Sequence, residues 1–75
     1  MENREQQKAI AEFAVFFGMY KGLAGKDDPR SVAYRAEYEQ KLKAQLVLVE
    51  KLGLSEDSEV KLIKRKMGYY GFPLS

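Results

Sequence analysis

Ala9-Ile10-Ala11-Glu12-Phe13-Ala14-Val15-Phe16-Phe17-Gly18-Met19-Tyr20-Lys21-Gly22-Leu23-Ala24 holds no proline and repeats its apolar side chains at intervals of three and four. That period predicts an amphipathic helix. On a helical wheel Ala9, Ile10, Phe13, Phe16, Phe17, Tyr20, Leu23 and Ala24 share one broad stripe, the predicted core face. Ala11, Ala14, Val15, Gly18 and Gly22 form a second strip of small residues beside it. Glycine inside a helix costs roughly 1 kcal/mol relative to alanine, so Gly18 and Gly22 are expected where another backbone comes close. The Gly18-Met19-Tyr20-Lys21-Gly22 spacing occurs in membrane helices, but Glu12 and Lys21 break any apolar span. Two occupants of this groove remain open: the third helix of the same chain, or a second copy or partner helix.

Outward from this stretch, Asn3 with Gln6 three residues later predicts a capping box, so the first helix is placed at about 3–24, with Gly25 as its left-handed stop. Asp28-Pro29 is an N-cap followed by proline at the first helical position and opens a second helix over 29–52, ended by Gly53. So short a link predicts antiparallel packing. Tyr34, Tyr38, Leu42, Leu46, Val49 and Leu52 make its expected inward stripe, and Glu37/Lys41 and Glu39/Lys43 are expected ion pairs on its exposed face. Leu46-Val47-Leu48-Val49 is apolar all round, which predicts cover from the third helix or a second subunit. A strand reading of this run fails because it lies inside one long helical pattern. The third helix is placed at 56–67, with Glu56, Asp57 and Glu59 at its positive end and Lys64, Arg65 and Lys66 before Gly68. Val60, Ile63 and Met67 form its inward face, and 68–75 form an aromatic tail. The expected fold is all-α: an antiparallel helical hairpin plus a shorter third helix, a three-helix bundle in a single domain over 1–75.

Seventy-five residues is a length at which one core supplies only about 3–5 kcal/mol and association often adds to it. The sequence has no cysteine, histidine or tryptophan, which removes thiolate chemistry, the usual general base and the commonest metal ligands. Enzyme chemistry is therefore not expected, and neither a cofactor, a metal nor a small-molecule substrate is. Asp27/Asp28 and Glu56/Asp57/Glu59 lack the length and alternation of a calcium loop and read as caps. Ser31, Ser55, Ser58 and Ser75 have no histidine to activate them. Thirteen basic against eleven acidic side chains leave +2, too little to steer the whole molecule onto nucleic acid or lipid. The charged start Met1-Glu2-Asn3-Arg4-Glu5 and the short apolar run Phe13–Tyr20 predict no membrane association and a cytoplasmic location. Small size is in keeping with a phage or mobile-element regulator.

From Lys61 onward the chain carries four cationic side chains and no acidic one. Lys61, Lys64, Arg65 and Lys66 with Tyr69, Tyr70 and Phe72 could neutralise phosphates and stack bases. The competing reading is that the cations complement a helix C-terminus while the aromatics close the end of the bundle. Leu48-Val49-Glu50-Lys51-Leu52-Gly53-Leu54-Ser55, followed by Val60 and Ile63, resembles the turn of the helix-turn-helix DNA-binding family, with Gly53 at the turn and Leu54 beneath it. It departs from that pattern at Glu59, where the family places an apolar residue, and in the acidic Glu56, Asp57 and Glu59 where phosphates would lie. The expectation drawn from these features is a small non-enzymatic regulator or adaptor that binds a larger protein as a homodimer. Its candidate contacts are Val15, Gly18, Gly22, Leu48, Leu62, Arg65, Lys66 and Tyr69. The alternative is nucleic-acid binding through the basic third helix and the tail.

Overall fold

The computed structural model describes residues 4–72, and among them the chain is all-helical, with three helices and no strand. They are α1 (Arg4–Gly22), α2 (Pro29–Lys51) and α3 (Ser58–Tyr69). The backbone extends over 45 × 19 × 17 Å.

α1 packs against both other helices. Its partners on α2 run in reverse order: Gln6 Nε2 donates to the Leu52 carbonyl at 2.8 Å, Gln45 Nε2 donates to the Ala9 carbonyl at 2.8 Å, the Phe16 and Tyr38 rings lie 6.4 Å apart, and Arg35 sits over the Tyr20 ring at 5.2 Å. The core joins Ala9, Phe13, Phe17 and Tyr20 of α1 to Leu42 and Val49 of α2 and to Val60, Ile63 and Met67 of α3. Leu54 and Phe72, each just past a helix end, complete it.

The N-caps of α2 and α3 are aspartates. Asp28 accepts from the Ser31 N–H at 3.0 Å, and Asp57 accepts from the N–H groups of Glu59 and Val60 at 2.9 and 3.2 Å. α2 and α3 stop in the same way. Gly53 and Gly71 take φ of 76° and 82°, which returns the Leu54 N–H to the Val49 carbonyl (2.8 Å) and the Phe72 N–H to the Met67 carbonyl (3.1 Å). In each of these Schellman motifs the residue after the glycine is apolar and buried, so helix termination also delivers a core side chain.

Several expectations are corrected. α1 ends at Gly22, with Leu23, Ala24 and Gly25 in turns; Leu52 caps α2; and α3 begins after Asp57 and runs through Gly68 to Tyr69. Asn3 and Pro73-Leu74-Ser75 lie outside the described residues, and Gln6 is spent on the C-terminus of α2. Tyr34 is 48% exposed, whereas Gln45, about three turns further along α2 and not expected in the core, is buried with its amide satisfied by the Ala9 carbonyl of α1. Glu37/Lys41 and Glu39/Lys43 form no ion pairs; Lys41 instead lies over the Tyr38 and Phe16 rings at 4.9 and 5.9 Å. Val47 and Leu48 remain exposed, so α3 does not cover that end of α2.

Candidate interaction surfaces

The small-residue strip of α1 faces outward. Ala11, Gly18, Met19 and Gly22 are exposed, Val15 is 61% exposed, and only Ala14 turns to the core. A Cβ built on Gly18 or Gly22 meets nothing within 4 Å. The third helix therefore does not fill this groove, because it lies on the other flank of α1, with Tyr70 against Phe17 and Phe72 against Tyr20. Leu48 lines an open depression of about 280 Å³ with Glu5, Lys8, Ala9 and Glu12, where Lys8 and Glu12 form an exposed pair at 3.9 Å. Such pairs add little to stability.

On α3 the outward ridge is Leu62, 46% exposed, and Tyr69, 77% exposed, two turns apart on one face. Arg65 and Lys66 are exposed beside it, and neither they nor Lys64 has a carboxylate within ion-pair distance among the described residues. Lys61 differs from them: its Nζ is 2.6 Å from Glu56 Oε2, and this hydrogen bond, aided by the lysine charge, holds the Glu56 carboxyl below its ordinary range.

Of the aromatics predicted to stack on bases, only Tyr69 is free to do so. The Tyr70 ring packs edge-on to Phe17 at 5.9 Å, and Phe72 packs edge-on to Tyr20 at 5.6 Å and is buried. Arg35 secures this fold-back: its Nη2 donates to the Tyr70 carbonyl at 3.0 Å and reaches the Tyr20 hydroxyl at 3.4 Å. The guanidinium lies beside a second open depression of about 310 Å³ lined by Tyr20, Val32, Ala36, Glu39 and Gly71. The sequence did hold a signal for the fold-back, a glycine at position 71 followed by an apolar residue.

The turn resembling a helix-turn-helix forms locally: Gly53 takes the left-handed conformation, Leu54 is buried, and Val60 and Ile63 face inward. Glu59 is exposed, and the N–H groups at the start of α3, the natural phosphate donors of a helix, are already occupied by Asp57. Among the described residues no three carboxylate, imidazole or thiol groups converge to hold a metal, and no helix is long and apolar enough to cross a membrane. Comparison with protein-family models, curated proteins and solved structures finds no match to this chain.

Proposed function

We propose that this chain is a small non-enzymatic regulatory or adaptor protein of the cytoplasm that binds a larger protein partner and acts as a homodimer. The observation that carries the reading is the α1 strip: exposed Val15 and Met19 alternate with two glycines above which none of the described residues comes within 4 Å of a built Cβ. Exposed apolar surface and helix glycines both cost a monomer that has no use for them. In this reading the antiparallel hairpin of α1 and α2 is the rigid support, braced at one end by α3 and the aromatic tail, and the strip is where the partner lies. The test is capture of a partner from extract of the source cell by the wild type, by Gly18→Leu and by Val15→Asp. A protein held at fixed stoichiometry by the wild type and lost with both variants, each of which keeps the helical circular dichroism of the wild type, supports the reading; equal capture by all three refutes it.

A second reading, nucleic-acid binding, is favoured by the unpaired Lys64, Arg65 and Lys66 next to exposed Tyr69. It predicts binding of labelled single- or double-stranded DNA that collapses between about 50 and 200 mM salt, read by fluorescence anisotropy. Tight binding without that salt slope, or none, removes it.

A further inference from the structure

We propose that the outward face of α3 is where two copies of this chain meet, antiparallel across a twofold axis. The inference rests on the homodimer reading above and deepens it by naming the surface and the register. Glu59 and Lys66 stand on one edge of the Leu62/Tyr69 ridge, both exposed and neither with an ion-pair partner among the described residues. They are two helical turns apart, about 10 Å along the axis, and Leu62 and Tyr69 are separated by the same interval.

In heptad terms Leu62 and Tyr69 occupy a, Ser58 and Arg65 d, Glu59 and Lys66 e, Lys61 and Gly68 g. Antiparallel helices bring a against d and each edge against its own counterpart. That places Glu59 of each copy beside Lys66 of the other, twice by symmetry. The same register sets the two Leu62 side chains around the axis, each against the aliphatic stem of the other copy's Arg65. Tyr69 lies over Ser58, which is small enough to admit the ring, and Lys61 faces Gly68; the two Arg65 side chains flank the axis in adjacent layers and carry their guanidinium groups outward to solvent. A parallel pair fails on the same residues: Arg65 meets Arg65 and Lys61 meets Lys66. The acidic half also decides the class of partner. A phosphate backbone satisfies Lys66 but is repelled by Glu59 and its neighbours Glu56 and Asp57, whereas a second copy satisfies both halves. One helix face of this length places the dimer in the small, transient class of interface.

The experiment is sedimentation equilibrium of the full chain from about 5 to 500 μM, a range that brackets micromolar dissociation constants. Wild type is expected to dimerise reversibly, more weakly at high salt. Leu62→Asp, Glu59→Lys and Lys66→Glu are each expected to weaken the dimer by roughly tenfold or more. The Glu59→Lys/Lys66→Glu double variant, and an equimolar mixture of the two single charge variants, should recover it. All these side chains are exposed, and circular dichroism checks that each variant keeps its helices. A dimer indifferent to the charge reversals and abolished by Gly18→Leu overturns the inference while leaving the homodimer reading in place, because the copies then meet on α1. A monomer at every concentration overturns both, and the partner-capture test above still decides the adaptor reading. A monomer that binds a (dT)20 oligonucleotide with a steep salt slope overturns it in favour of a phosphate surface.

Discussion

Gly18→Ala should make this protein more stable. Gly18 lies in the interior of α1 with no positive φ, and its missing Cβ would meet nothing within 4 Å, so alanine adds no clash and buries no polar group. What changes is the backbone entropy of the unfolded chain and the helix propensity, together worth about 0.8–1 kcal/mol. Against a total stability of about 3–5 kcal/mol for a core of this size, that is a gain of about a sixth to a third. It corresponds to a rise in Tm of roughly 4–8 °C. The assay is urea and thermal unfolding followed by far-UV circular dichroism at low micromolar protein. The midpoint should rise with an unchanged m-value, since the surface exposed on unfolding is the same. A neutral or destabilising result would mean that some part of the folded chain approaches Gly18 closely, and the case for a vacant strip would fail. Coupled to the capture assay, the same substitution should raise stability while weakening partner binding.

Other expected outcomes follow from the packing. Arg35→Ala removes a charged hydrogen bond to the Tyr70 carbonyl and the guanidinium over Tyr20, and should cost about 2 kcal/mol; the near-UV tyrosine signal and exchange of the Phe72 N–H report release of the fold-back. Leu42→Ala empties a fully buried position and should cost about 2–5 kcal/mol, enough to unfold much of the population at 37 °C, seen as lost helical ellipticity. Asp57→Ala removes the acceptor for two N–H groups and should cost about 1 kcal/mol, with faster hydrogen exchange in the first turn of α3. Ser31, through its hydroxyl and then its N–H, holds the Asp28 carboxyl below its ordinary value of 3.8, and Lys61 does the same for Glu56 below 4.5. A depressed carboxylate stabilises the fold above its ordinary value and ceases to as pH falls through the folded one. The urea midpoint should therefore decline from about pH 4.5 downward, and Asp28→Asn, which can still cap, should lessen that decline.

What the sequence disclosed, and what it hid, follows from the range of the forces involved. The caps at Asp28 and Asp57, the stop at Gly53 and the stripes Phe13/Phe17/Tyr20 and Val60/Ile63/Met67 are local, because each depends on neighbours within a turn or two. Gln45 and Tyr34 misled because burial on α2 is decided by what stands opposite. A polar amide found a carbonyl 36 residues away, while an aromatic ring was left half exposed. Lys41 chose aromatic faces over Glu37 for the same reason. The vacancy above Gly18 and Gly22 could not be read from the strip itself, since spacing fixes which residues share a face and says nothing of where a third helix lands. The exposure of Leu62 was legible because α3 is short and amphipathic, with its inward face already claimed; that of Tyr69 was not, because Gly68 reads as a stop that puts the residue in the tail, and the helix in fact carries on through Gly68 to reach it.

The narrow cross-section, 19 × 17 Å of backbone, allows little more than helix axes some 8–10 Å apart with one layer of side chains between them. A pocket that engulfs a small molecule takes about 300–1,000 Å³, and to open one here would mean removing the layer that holds the helices together. Folding is thereby assigned to the inward residues, Phe13, Leu42 and Met67 among them, while the outward side chains are left free of that task. Such a division lets the surface acquire a new partner by a few exposed substitutions without a step through an unfolded ancestor.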